Sequence, residues 1–326
     1  MKASIDRILE NKKIMIIDGS MGTALERLGA DNSSSLWTAA ALFKQPELVK
    51  QVHLDYFRAG ADCGITCTYQ ATIPGLMKYG YSEEEAEKII ADSVRLFLEA
   101  RDEWWESEGK AEGREYPLCL AGIGPYGAYL ADGSEYTGNY GVSDEVLDNF
   151  HRRRLEIVKD AGCDIALIET HPCLREAVIA GDICEELGMD YWISFSCRDG
   201  HRINEGDLIK DCAETLSEGR PHLKMIGVNC SKPEYIASLV RDLKSSTELP
   251  IGVYPNSGLI YDAKTKTWTA PEGVLDFGAY ALEYMQAGAT AVGGCCTTDV
   301  EQIKQVAEAR ERFLGPMGKT ISYKGL

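Results

Sequence analysis

The sequence predicts an α/β protein built as a single (β/α)8 TIM barrel, with its reactive groups at the C-terminal ends of the strands. Two observations point there. Eight short, mostly apolar runs recur along the 326 residues, as strands buried on both faces of a parallel sheet require. Longer segments of helical period separate them. No Pro/Ser-rich linker, short-period repeat or low-complexity tract divides the chain, so residues 1–326 are expected to form one domain. A doubly wound sheet with a second domain is the alternative arrangement of the same elements.

The first run, Ile14-Met15-Ile16-Ile17, stands ahead of Asp18-Gly19. A helical stretch from Pro46 to Ala59 leads to the second, Cys63-Gly64-Ile65-Thr66-Cys67. Ser82 and Glu85 then make a capping box, and Ala86, Ile89, Ile90, Val94 and Phe97 mark one face of the helix it opens. Leu118–Ala121 is the third strand. Val146, Phe150 and Ile157 mark a helix before the fourth, Asp164–Ile168. The last four are Tyr191–Phe195, Met225–Val228, Ile251–Tyr254 and Ala289–Val292. Gly162, Gly188 and Gly288 precede strands four, five and eight, where helix C-terminal stops belong.

Charge narrows the partners. With 34 Lys+Arg against 51 Asp+Glu the formal net charge is −17, a field that repels nucleic acid and anionic membranes. No apolar run approaches the roughly 20 residues of a membrane helix. The opening residues Met1–Lys13 are charged and lack a signal-peptide core, so a cytoplasmic location is expected. The 11 cysteines, an odd number, then read as reduced thiols rather than as a disulfide framework. Small-molecule partners are expected, and nothing in the sequence sets an oligomeric state.

Strand counting places Asp18, Cys67, Pro125, Glu169, Ser196, Cys230, Asn256, Cys295 and Cys296 at the strand ends, where barrels of this kind keep their active sites. Cys230 ends strand six, and Cys295 and Cys296 end strand eight behind Gly293-Gly294. Three thiolates there fill three corners of a tetrahedral zinc site and leave the fourth open, as catalytic zinc requires; soft sulfur ligands favour zinc over magnesium or calcium. The spacing alone leaves a second reading open, since cysteine also serves as a small buried hydrophobe.

The stretches Ile17-Asp18-Gly19-Ser20-Met21-Gly22-Thr23, Gly124-Pro125-Tyr126-Gly127-Ala128, Glu169-Thr170, Gly227-Val228-Asn229-Cys230 and Gly293-Gly294-Cys295-Cys296 resemble, in order and over essentially the whole chain, the homocysteine S-methyltransferases. The resemblance implies zinc (Zn2+) held by Cys230, Cys295 and Cys296. It also implies transfer of a methyl group to the thiol of homocysteine, forming methionine. A free thiol has a pKa of about 8.5, so zinc is needed to hold the substrate as thiolate. The resemblance further implies that Asp18 and Glu169 lie near the homocysteine amine. The glycine-containing loop with Gly19, Ser20 and Met21 suits the substrate carboxylate. Asn229, beside Cys230, is expected either to orient the metal site or to touch substrate.

The donor is expected to be a sulfonium. The tyrosine-rich segment from Gly124 to Tyr140, and Tyr69 with Gln70 after strand two, look most like members that use S-methylmethionine, with S-adenosylmethionine the other sulfonium; betaine or a corrinoid protein is the alternative. Tyr126, Tyr129, Tyr136 and Tyr140 offer aromatic faces to an onium ion. Gly122-Ile123-Gly124-Pro125-Tyr126-Gly127 fits G-x-G-x-x-G, yet it contains proline and is expected to run into a loop, so no nucleotide is read from it. A hydrolase using Cys230 or Cys295 as nucleophile needs a histidine in reach, and a non-enzymatic amino-acid sensor has no use for three cysteines. His171 is expected to be structural.

Overall fold

The computed structural model describes residues 3–30, 37–262, 267–269 and 276–315. Eight parallel strands carry the fold: β1 Met15–Ile16, β2 Cys63–Ile65, β3 Leu118–Ile123, β4 Ile165–His171, β5 Tyr191–Phe195, β6 Leu223–Asn229, β7 Ile251–Tyr254 and β8 Ala291–Val292. Each is followed by a helix on the outside: α1 Pro46–Ala59, α2 Glu83–Trp104, α3 Asp144–Asp160, α4 Leu174–Leu187, α5 Ile209–Leu216, α6 Pro233–Lys244, α7 Phe277–Ala287 and α8 Val300–Leu314. Every strand pairs with its neighbours in chain order, and β8 pairs with β1. A parallel bridge between Ile17 and Cys63 closes the ring. This is the (β/α)8 barrel the sequence predicts, and all eight strands fall on the expected runs. A small antiparallel hairpin, Ile260–Asp262 with Thr267–Thr269, is inserted between β7 and α7.

Alternation along the strands separates two cores. Met15, Ile17, Leu118, Leu120, Ile165, Leu167, Trp192, Met225 and Tyr254 fill the barrel, while Ile16, Cys119, Ala121, Ala166, Ile168, Ile193 and Val253 face the helices. Trp192 is fully buried in the interior. It fits because β7 carries Gly252: a Cβ there would lie 1.9 Å from the indole. The helix Ile5–Lys12, capped by Ser4, puts Ile5 and Ile8 into the inner cluster and so plugs the N-terminal end of the barrel.

The helix signals act as read. Ser82 and Glu85 form the capping box of α2, and Gly162, Gly188 and Gly288 all take positive φ after helices. Helix α3 differs from expectation. Ile157 is buried as expected, but Val146 is exposed, and the rest of the buried face consists of Leu147, His151, Arg154, Leu155 and Val158. An apolar pattern misses part of this face because His151 and Arg154 are polar residues buried against partners on other elements. The G-x-G-x-x-G stretch also differs, since it opens a single-turn helix, Tyr126–Leu130, rather than running into a loop. Among the described residues no helix is long and apolar enough to cross a membrane.

Candidate active site

The C-terminal ends of the strands surround a pocket of about 870 Å³. Its walls come from the loops after β1 (Gly19, Ser20, Met21, Gly22), β2 (Cys67, Tyr69, Gln70), β3 (Glu135, Tyr136), β4 (Glu169, Thr170), β6 (Cys230) and β8 (Gly294, Cys295, Cys296), with Thr38, Ile65, Thr66 and Tyr254 completing them.

The three sulfurs meet at one side. Cys230 leaves β6 in a left-handed backbone conformation, φ 45°, uncommon for a side-chain-bearing residue and characteristic of functional positions. Its N–H donates to the Tyr254 carbonyl at 3.2 Å. The β8 loop is braced by the β7 loop: Cys295 N–H donates to the Pro255 carbonyl at 2.7 Å, and Ser257 N–H to the Cys296 carbonyl at 3.1 Å. The Thr298 hydroxyl closes the turn on the Cys295 carbonyl at 2.6 Å. The result is a Cys230–Cys296 Sγ separation of 3.6 Å, with all three sulfurs within 4.8 Å of one another. Three ligands at 2.3 Å from a tetrahedral zinc would sit about 3.8 Å apart, so the spacing suits one ion. Hydrogen bonds from Cys230 and Cys295 hold the Cys296 thiol well below the usual range, and the bond to Cys230 pushes Cys295 up. Three thiols this tightly linked titrate as a unit, the behaviour of groups ready to exchange protons for a cation.

Two carboxyl groups lie below the pocket without a cation. Glu169 is 5% exposed at the end of β4 and takes a long hydrogen bond, 3.4 Å, from the Tyr254 hydroxyl. Burial, then the charge of Cys230, push its pKa to about 8. Asp18 is 2% exposed and sits just behind the wall. Its Oδ2 accepts the Ile65 N–H at 2.9 Å, and Oδ1 has no partner. Burial pushes its pKa well up, and the Glu169 charge adds to that. No Lys, Arg or His lines the pocket among the described residues. One buried carboxyl on the cavity wall with a second just behind it calls for a cationic guest.

A sequence profile described as homocysteine S-methyltransferase matches residues 15–310. The chain belongs to this family. It is 46% identical over 304 residues to the homocysteine S-methyltransferase YbgG of Bacillus subtilis, covering 93% of this chain and 96% of that protein. Homocysteine S-methyltransferase 1 of Arabidopsis thaliana is 41% identical over 305 residues, covering 91% and 93%. Among solved structures, the metallated form of the homocysteine methyltransferase MmuM of Escherichia coli superposes with a TM-score of 0.83 at 36% identity, over 93% of this chain and 98% of that one. The family's activity, methyl transfer to homocysteine to form methionine, is this chain's enzyme class, and the three cysteines form a group able to hold a metal.

The structure brings Glu169, Cys230, Cys295, Cys296, Gly19, Ser20, Met21, Tyr69, Gln70 and Tyr136 to the one pocket. It places others elsewhere. Asn229 is fully buried and off the wall, its Oδ1 accepting the Thr170 N–H at 2.8 Å and its Nδ2 donating to the Thr170 hydroxyl at 2.7 Å. It therefore fixes the strand end rather than meeting substrate. Tyr126 is also off the wall, packed among Tyr129, Tyr140 and Phe150, so the tyrosines that line the pocket are Tyr69, Tyr136 and Tyr254. Backbone N–H groups of the β1 loop are fewer than the glycines suggest, because Ser20 N–H already donates to the Thr298 hydroxyl.

Glu135, Thr170 and Tyr254 line the pocket and escape sequence reasoning. Thr170 and Tyr254 were adjacent to, or the last residue of, strands already assigned; Glu135 sat in the tyrosine-rich segment, masked by its aromatic neighbours. His171 belongs to a second buried group with His151 and Glu176. Glu176 Oε1 takes the Tyr126 N–H at 2.6 Å and lies 2.8 Å from His151 Nε2. Arg154, which also donates to the Gly124 carbonyl at 2.6 Å, lies 3.2 Å from His151 Nδ1. With Nδ1 accepting from the guanidinium, Nε2 must carry the proton given to Glu176. These bonds tie the β3 loop to α3 and α4. A cysteine hydrolase finds no base here, since no histidine lines the pocket among the described residues.

Proposed function

We propose that the pocket holds homocysteine and S-methylmethionine together and moves a methyl group between them, with zinc as the metal of Cys230, Cys295 and Cys296. The observation that carries the reading is the pairing of a three-sulfur cluster with Glu169 on the wall of the same cavity and Asp18 buried just behind it, neither carboxyl in an ion pair among the described residues. That combination matches a guest bearing both a thiol and an ammonium. The whole chain is taken as one barrel domain serving this site.

When bound, zinc supplies a positive centre that keeps the substrate thiol deprotonated at neutral pH. Glu169 and Asp18 hold the homocysteine ammonium, which compensates the two charges that burial otherwise disfavours. The β1 loop residues Gly19, Ser20 and Met21 flank the substrate carboxylate. Ser20 also caps the following helix through Thr23 N–H, at 3.2 Å, which fixes the loop. Asn229 holds Thr170, and Thr170 stands at φ 60° beside Glu169. Tyr136 and Tyr69 present their rings to the sulfonium. The homocysteine sulfur attacks a methyl carbon of the donor in line with the departing sulfur; the S–CH3 bond breaks, its electron pair stays on the donor sulfur, and two methionines result.

A donor panel with zinc-loaded enzyme tests the reading, scoring methionine from homocysteine with S-methylmethionine, S-adenosylmethionine and betaine. Faster turnover from betaine than from either sulfonium overturns the donor. A purified enzyme that is active without zinc overturns the metal.

A further inference from the structure

We infer that Glu135 binds the ammonium group of the methyl donor and thereby selects sulfonium donors that are amino acids. The inference rests on the proposed donor class and deepens it. Glu135 stands on the short 3-10 turn Ser134–Tyr136, on the pocket wall. The turn is held firmly. Asp132 accepts the Ser134 N–H at 2.9 Å, and Tyr136 and Gly138 N–H groups donate to the Gly133 and Ser134 carbonyls at 3.1 and 2.9 Å. Gly127 backs it so closely that a Cβ there would lie 2.5 Å from the Glu135 nitrogen.

This seat lies on the metal side of the pocket. The neighbouring Tyr136 hydroxyl is 3.4 Å from Cys230 Sγ, and the Glu135 charge is felt at Cys296 and Tyr69. Asp18 and Glu169 act on each other and stand at the ends of β1 and β4 rather than on this turn; Tyr69 feels the charges of both Glu135 and Glu169. The pocket therefore has acidic groups on two different supports, Glu135 on the turn after β3 and Glu169 at the end of β4. Among the described residues Glu135 forms no ion pair with Lys, Arg or His, and partial burial pushes its pKa to about 7.

Two amino acids bring two ammonium groups, and the pair Asp18–Glu169 accounts for one. The donor's sulfonium must face the sulfur cluster, beside the Tyr136 ring. Its ammonium is then two methylenes and a Cα away, toward the next residue on the turn. A sulfonium has no N–H to give, whereas an ammonium makes charge-assisted hydrogen bonds with a carboxylate. The residue beside the aromatic ring is thus suited to the ammonium rather than to the reacting cation.

The test is steady-state kinetics of the zinc-loaded parent and Glu135→Gln with two donors. One is S-methylmethionine, and the other is its analogue without the amino group, dimethyl(3-carboxypropyl)sulfonium. In the parent, the analogue should show a KM about 10- to 100-fold above that of S-methylmethionine, the worth of a hydrogen bond to a charged group. Glu135→Gln should raise the S-methylmethionine KM to the same level. It should leave the analogue's KM, the homocysteine KM, the zinc content and the melting temperature near those of the parent. Equal rises for both donors, no rise for either, or a rise confined to homocysteine overturns the inference. A parent that transfers methyl from betaine but not from S-methylmethionine overturns the donor reading, and this inference with it. A parent active with S-methylmethionine whose variant is unchanged overturns this inference alone.

Discussion

At the scale of single residues, the site depends on groups that would be unfavourable anywhere else in the protein. Cys230 holds a left-handed backbone, and Glu169 is a buried carboxyl that forms no ion pair among the described residues. Replacing Cys230, Cys295 or Cys296 by serine should strip metal and activity while circular dichroism and the melting temperature stay near the parent's, because the sulfurs stand at the mouth, Cys295 only packing against the edge of the inner core. Retained metal with full turnover in any one of the three contradicts the ligand assignment. Glu169→Gln keeps the shape and removes the charge, so the homocysteine KM should rise about 10- to 100-fold, with the donor KM nearly unchanged. An unaltered homocysteine KM would move the ammonium elsewhere. The sequence identified these residues from strand-end position and family resemblance. Asn229 and Tyr126 lie off the pocket wall, because a residue next to the site in sequence need not point into it.

At the scale of elements, α1 carries a pH sensor of stability. His53 is 1% exposed, packs edge-on against Phe97 of α2 with ring centroids 4.9 Å apart, and has no hydrogen bond at either ring nitrogen. Burial lowers its pKa to about 3. Between that value and the ordinary value of about 6.5 the unfolded chain binds a proton that the folded chain does not. Stability is therefore complete above about pH 6.5 and falls as the pH drops, by up to about 1.4 kcal/mol per pH unit for this group. His171, lowered to about 4 by burial, acts in the same direction. His53→Leu should reduce the loss of urea midpoint between pH 7 and pH 5. An identical loss in variant and parent would show that His53 is already protonated in the fold. Helices α1 and α2 were legible because their caps and apolar faces are local signals. The buried face of α3 was not, because Arg154 and His151 become core residues only through partners on other elements, among them Glu176 of α4 and the Gly124 carbonyl.

At the scale of the whole molecule, the ring is closed where it has least ladder. Strand β1 has only two residues and meets β2 through one bridge. Asp62, at the start of β2, reinforces that seam. Its Oδ2 accepts the Ile16 N–H at 2.9 Å and the Arg310 guanidinium at 2.7 Å, and its own N–H donates to the Ile16 carbonyl at 2.7 Å. Arg310 lies on the last helix, 248 residues away in the chain, so this pair joins the two ends of the barrel. Arg310→Met leaves Asp62 buried with one cation fewer, Arg114 standing 3.7 Å away. The cost should be about 3 kcal/mol, toward the low end for a broken buried pair. The melting temperature should fall by several degrees while both KM values hold. An unchanged melting temperature would show that the β-ladder alone closes the ring.

By itself the sequence determined the eight strands, the helix caps, the strand-end positions of the three clustered thiols and the family, because each is written in short-range pattern or in residue type at fixed places. Only the tertiary structure decided which neighbours of those residues face the pocket. Asn229 turns inward to hold Thr170, Tyr126 turns outward into an aromatic cluster, and Glu135 is delivered to the wall by a turn whose shape depends on Gly127 packing behind it. A strand's period places the residue that ends it. The direction of a side chain in the loop beyond depends on contacts with other loops that are remote in the chain.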